Sequence, residues 1–224
     1  MKVLIVAATK EEIQPVLDQL RFQWDIHKRL HKYLHKSTNV DVLITGVGMV
    51  STAYWLGKTL AEHQYNCAIN AGVAGCFYKD LPLGTVVNVE RDSIAELGAE
   101  DGDQILNLED MNLDSDPIME VDTISNKTVW KLDFLKELPR VMGITVNRVH
   151  GNSDSISDIL EKRNPTVESM EGAAFLYACK AADLDCIQLR ALSNYVEPRD
   201  RSGWELDKAI RNLNLLVMKT IDAL

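Results

Sequence analysis

Three short stretches of the chain place side chains capable of acid, base or hydrogen-bonding chemistry among small residues. Thr9-Lys10-Glu11-Glu12 sets two adjacent carboxylates directly after the apolar run 2–8. Glu168-Ser169-Met170-Glu171-Gly172-Ala173-Ala174-Phe175 sets two more at the start of residues 172–182, which are nearly pure Ala, Leu, Phe, Tyr and Cys. Ser193-Asn194-Tyr195-Val196-Glu197-Pro198-Arg199 brings an amide and a guanidinium just past the strand-like run 186–191. Residues 172–182 are too apolar for a surface helix, which predicts a buried one. Burying an ionised carboxylate without partners costs several kcal/mol. Glu171 therefore either caps the helix start, where the dipole favours a negative charge, or receives hydrogen bonds from the protein or a ligand. Glu11 and Glu12 admit the same two readings, and Asn194 is either a turn residue or a paired donor.

The elements that must position these groups follow from the hydrophobic pattern. Residues 2–8 form a continuous apolar run, as expected of a parallel strand covered on both faces. Thr9 is expected to cap a helix carrying Glu11, Glu12, Ile13, Val16, Leu17 and Leu20. Further strands are predicted at 39–44, 67–75, 84–90, 143–150 and 186–191, the second ending in a small-residue turn at Gly72-Val73-Ala74-Gly75. Helices are predicted at 52–63, 155–162 and 204–224, the last with a core stripe of Leu206, Ile210, Leu213, Val217 and Ile221. Residues 97–103 read as an acidic loop, and the acidic segment beyond Gln104 as a solvated one. The pattern predicts one α/β domain over residues 1–224, an α/β/α sandwich with a central mixed, mostly parallel twisted sheet. Ligands of such sheets bind beyond the carboxyl ends of the strands, which makes the Thr9 to Glu12 turn a candidate site wall.

Bulk properties exclude several functions. At 224 residues the chain buries a full core without disulfides, and its net charge of −9 argues against nucleic acid, which demands a basic face. No run approaches the roughly 20 apolar residues of a membrane helix, and residues 1–8 read as a strand rather than a signal peptide, so a cytoplasmic location is expected. Cys67, Cys76, Cys179 and Cys186 lack CxxC spacing and read as buried free thiols. His27, His31 and His35 stand four apart, but residues 27–36 contain no acid or cysteine to complete a metal site, and a basic strand or hairpin fits better. Gly46-Val47-Gly48-Met49-Val50-Ser51 matches only part of a dinucleotide fingerprint. We expect neither metal nor cofactor. A non-catalytic nucleotide-binding module is the competing class.

Ser169-Met170-Glu171-Gly172-Ala173-Ala174, followed by Arg190-Ala191-Leu192-Ser193-Asn194, resembles the signature of the nucleoside phosphorylase and nucleosidase superfamily. The finer match, through 193–199, 97–103 and 146–152, is similar to the futalosine hydrolase family. The resemblance implies a nucleoside phosphorylase-like fold, a nucleoside substrate and a homodimer. It implies Glu12 as general base for an attacking water, Glu171 and Met170 against the ribose, and the polar turn at Asn152 by the purine. Adenosine-type relatives have a serine where this chain has Val73, which alters the pocket floor. Glycosidic cleavage passes through a ribose with oxocarbenium character, so positive charge on the sugar and negative charge on the base both need support. The two donors of the Asn194 amide suit the N7 and 6-oxo acceptors of hypoxanthine. Carboxylates in place of a phosphate cradle suit water as nucleophile, and Arg199 is a candidate partner for the benzoate carboxylate of futalosine. A methylthioadenosine or adenosylhomocysteine nucleosidase and a phosphate-dependent phosphorylase are the alternatives within the superfamily.

Overall fold

The computed structural model describes residues 1–224 except 103, 114, 115 and 129. The apolar start is β1 (Lys2–Ala7), and its burial alternates between two cores. Val3, Ile5 and Ala7 pack on one side and Leu4 and Val6 on the other, as a strand with helices on both faces requires. Only one turn of helix follows, α1 (Gln14–Leu17). Thr9 does not cap it: the Glu12 carboxylate folds back and accepts from Thr9 instead. A hairpin, β2 (Arg21–His27) and β3 (Leu30–His35), holds the basic segment, and its inner positions Leu30, His31 and Tyr33 are buried rather than solvated. Next come β4 (Thr38–Ile44), α2 (Met49–Glu62) and β5 (Cys67–Cys76). The expected small-residue turn at 72–75 is absent, because those residues continue β5 along β12, with β11 joining on the other edge at Gly75.

The strand expected at 84–90 is β6 (Val86–Ile94), which runs on through the buried Asp92. The acidic loop at 97–103 is a small hairpin, β7 (Ala99–Asp101) and β8 (Gln104–Leu106), although residue 103 lies outside the described residues. Short β9 (Thr123–Ser125) and α3 (Asp133–Lys136) lead to β10 (Arg140–Thr145), which stops before residues 146–150. Then follow α4 (Ser153–Arg163), β11 (Val167–Ser169), α5 (Gly172–Ala181), β12 (Cys186–Tyr195) and α6 (Leu206–Ala223).

The fold is α/β with helices on both faces: α1 and α6 cover one core, α2 and α5 the other. In the sheet, β1 runs parallel to β4 and β5, β5 to β12, and β10 to β6 and β11. The remaining pairings are antiparallel, including β12 with β6 and β11 with β5. That last pairing, Val167 opposite Cys76 and Glu168 opposite Gly75, bends the sheet back on itself. The strands β5, β12, β6, β10 and β11 thereby form a closed ring. A register shift between Leu192 and Asn194 interrupts β12 beside β5; such bulges re-aim side chains at strand ends. All four cysteines are buried free thiols. No helix among the described residues is long and apolar enough to cross a membrane.

Candidate active site

The carboxyl ends of β1, β5, β11 and β12 open into a cleft of about 360 Å³ that brings together Glu12, Val73, Met170, Glu171 and Asn194. A smaller cavity of about 80 Å³ adjoins it, sharing Gly75, Glu168, Asn194 and Trp204, and it adds His150 and Arg199. Asn152 borders neither. It is the N-cap of α4, its side chain accepting from the amides of Asp154 at 2.9 Å and Ser155 at 3.4 Å. Arg199 is exposed, with its guanidinium 5.6 Å from the Trp204 ring centre.

Glu12 is held through both oxygens. Its Oε2 accepts from Thr9 N at 3.0 Å and Thr9 Oγ1 at 3.3 Å, and its Oε1 accepts from Val73 N at 3.2 Å. Val73 therefore contributes its amide to the site while its side chain packs on the core. Burial pushes the Glu12 carboxyl above its ordinary value. The Thr9 amide opposes the shift, the like charge of Glu171 adds to it, and the Val73 amide and Arg190 pull back. A carboxylate with raised proton affinity is a better base for water near neutral pH.

Glu171 makes no capping bond within α5; Ser169 Oγ accepts the Gly172 amide at that helix start. Its Oε1 accepts the amide of Gly48 at 2.9 Å across the cleft, and its Oε2 has no partner among the described residues. Gly48 reaches this geometry at φ +98°, which an L side chain rarely adopts. The Gly-x-Gly turn thus aims a donor at the carboxylate.

Beneath the cleft lies a polar layer that the sequence patterns did not single out. Arg190, in the middle of β12, is 1% exposed. It donates from Nη2 to Asn70 Oδ1 at 2.5 Å and from Nη1 to Leu189 O at 3.2 Å. Burial lowers the affinity of the guanidinium for its proton, and the charges of Glu171, Glu12 and Asp92 raise it. Asp92 is fully buried and accepts from Gln188 Nε2 at 2.7 Å and Thr145 Oγ1 at 2.8 Å; burial pushes its carboxyl up to about 6 despite those bonds. Gly172 passes so close that a Cβ there would sit 2.1 Å from Asp92 Oδ2, which fixes the residue type following Glu171. One cation is shared among three carboxylates. The signal for this layer was present in the sequence as Asn70, Asp92, Gln188 and Arg190, polar residues inside otherwise apolar strands.

At the other end, Asn194 accepts from Ser193 Oγ at 2.9 Å, which fixes its amide orientation, and Nδ2 donates to Tyr195 O at 3.0 Å. One of its two N–H groups is thus committed and the second is left for a ligand. Leu206 and Ile210, expected on the core stripe of α6, line the cleft instead; Leu206 is 39% exposed. The cleft wall carries Glu11 and Glu12 but no lysine or arginine among the described residues.

The sequence profile of the Phosphorylase superfamily matches residues 2–222. Over 216 residues the chain is 29% identical to futalosine hydrolase of Acidothermus cellulolyticus, covering 95% of this chain and 87% of the relative. Over 190 residues it is 30% identical to futalosine hydrolase of Streptomyces coelicolor, covering 80% and 77%. Among solved structures, futalosine hydrolase of Helicobacter pylori superposes with a TM-score of 0.83 at 18% identity, over 100% of this chain and 98% of that one. The Helicobacter pylori 5'-methylthioadenosine/S-adenosyl homocysteine nucleosidase superposes with the same score at 17% identity, over 100% and 99%. At these identities the two structures share the fold.

Proposed function

Because the chain belongs to the phosphorylase superfamily, we propose that it hydrolyses the N-glycosidic bond of futalosine, releasing hypoxanthine and dehypoxanthinyl futalosine, as a step of menaquinone biosynthesis. The observation that carries this reading is the fixed, proton-hungry Glu12 at one end of a cleft whose other end presents Asn194. Glu12 takes a proton from water as its oxygen approaches C1′ of the ribose. Glu171, anchored by Gly48, accepts hydrogen bonds from ribose hydroxyls and supports the developing positive charge, with Met170 against the sugar face. The free N–H of Asn194 meets the acceptors of a 6-oxopurine, whereas an adenine would turn its own amino donor towards it, at a cost of about 1–3 kcal/mol.

Water is the nucleophile in this reading because the wall around Glu12 is acidic and would repel phosphate. Arg199 borders the cavity shared with Asn194, so we assign it to the base end. The carboxylate of the benzoate arm then meets a cation from outside this wall. A homodimer accounts for that, and the exposed Val47, Val50 and Tyr54 beside the cleft offer it an apolar surface. The four buried free thiols fit a cytoplasmic protein.

The test is purine release from futalosine, inosine and methylthioadenosine, each with and without phosphate, followed by chromatography of the free base. The expected result is hypoxanthine from futalosine independent of phosphate. Adenine from methylthioadenosine, or phosphate-dependent release from inosine, overturns the reading.

A further inference from the structure

The base end of the site holds a titratable pair that the steps above leave unused. Glu168, on β11, is 3% exposed, and its carboxylate is occupied by one residue. His150 N donates to Oε1 at 3.1 Å and Oε2 at 3.3 Å, and His150 Nδ1 meets Oε2 at 2.6 Å. The imidazole is largely covered, with the edge of Phe77 packed on it at 6.2 Å between ring centres. His150 and Glu168 line the small cavity together with Asn194. With Nδ1 committed to Glu168, Nε2 is the ring atom left for a ligand.

The proposed reaction calls for a proton here. When the C1′–N9 bond breaks, its electron pair stays on the purine, and the base departs more readily if a proton reaches it in the same step. Asn194 donates a hydrogen bond but gives up no proton. We propose that His150 is the leaving-group acid, its imidazolium Nε2–H passing a proton to the departing 6-oxopurine, and that Glu168 is the positioning residue that orients the ring. The inference rests on the nucleosidase reading above. Water loses one proton to Glu12 and its oxygen bonds to C1′, while a purine nitrogen gains the proton of His150. Transfer of one proton through solvent from Glu12 to His150 then restores the enzyme.

Other charges also face this imidazole. Glu197, Arg199 and Asp200 line the same cavity from the segment after β12. Glu96, Glu100, Asp158 and Lys162 line a second cavity that His150 borders on its far side. Glu168 is the one in direct contact and almost fully withdrawn from water.

The experiment is kcat/KM for hypoxanthine release from futalosine against pH, for the wild type, His150→Gln and Glu168→Gln, with hypoxanthine binding by calorimetry as the check on folding. In the wild type, turnover falls as pH rises through titration of the imidazolium. His150→Gln is expected to lose about 100-fold at neutral pH and to lose that alkaline limb, with hypoxanthine still bound. Glu168→Gln keeps the limb but is expected to lower kcat about 10-fold with KM little changed, because the ring loses its carboxylate anchor. An alkaline limb that survives in His150→Gln, or a drop confined to KM, overturns the proposal. If His150→Gln does not fold, an undiminished kcat in Glu168→Gln overturns it. A wild type that releases no hypoxanthine from futalosine sinks the nucleosidase reading and this one with it, whereas an unaltered His150→Gln profile sinks this one alone.

Discussion

Gly72 separates Glu12 from Arg190 by so little that a Cβ on it would lie 3.1 Å from Glu12 Oε1 and 3.2 Å from Arg190 Nη1. Both neighbours are tied, Glu12 to Thr9 and Val73 and Arg190 to Asn70, so neither yields freely. Gly72→Ala should therefore displace the Glu12 carboxylate, the proposed base, by a few tenths of an ångström while the fold persists. Misplacement on this scale is expected to reduce kcat by about 10- to 100-fold. A variant with an unchanged melting temperature and unchanged kcat would show that the base tolerates the shift.

Glu12→Gln keeps the shape of the acceptor for Thr9 and removes the proton acceptor for water. Hypoxanthine release should fall at least 100-fold while ligand binding by calorimetry is kept. Substantial residual hydrolysis would assign the base elsewhere.

Asn194→Asp replaces the amide donor at the base end by an acceptor that carries charge when ionised. Release of hypoxanthine should weaken more than ribose binding, and the ratio of 6-oxo to 6-amino substrates should drop by about 10- to 100-fold in kcat/KM. Unchanged turnover on futalosine would remove Asn194 from base recognition.

Asp92 carries a pH dependence of stability with a defined sign. Its folded value, about 6, lies above the ordinary 3.8, so the folded chain holds the extra proton between the two. The contribution is full below about pH 4 and is lost as pH rises through about 6, a change on the order of 3 kcal/mol. Gln188 Oε1 is buried without a partner among the described residues, so an amide at position 92 finds an acceptor once the Gln188 side chain flips. Asp92→Asn should flatten this part of the curve, read by urea denaturation at pH 4, 5, 6 and 7. A slope equal to that of the wild type would place the titration in another group.

Much of this architecture was legible in the sequence. Continuous apolar runs marked β1, β4 and β5, and the apolar segment after Glu171 marked α5 as buried, because burial on every side leaves no room for polar residues. Glu12, Val73, Met170, Glu171 and Asn194 were each named and share one cleft. The closure of the sheet was not legible, since β11 is three residues long and its partners lie far away in the chain. Arg190 and Asp92 were missed for a related reason. A polar residue within an apolar strand shows its purpose only when the neighbouring strands bring Asn70, Gln188 and the carboxylates to it. Leu206 and Ile210 show the converse, since helical periodicity tells which side faces inward but not whether protein or substrate fills the space there.

The ring of β5, β12, β6, β10 and β11 governs how the site breathes. Strand β5, which carries Asn70, Gly72, Val73 and Gly75, is flanked by β12 along one edge and by β1 and then β11 along the other. The pairings of that second edge leave Val73 between them, its amide held by Glu12 Oε1 instead, and the paired amides on either side exchange with deuterium only through openings close to global unfolding. The floor of the cleft is thus a rigid anvil, and adaptation to a substrate falls to the segment after β12 at its rim, residues 196–205.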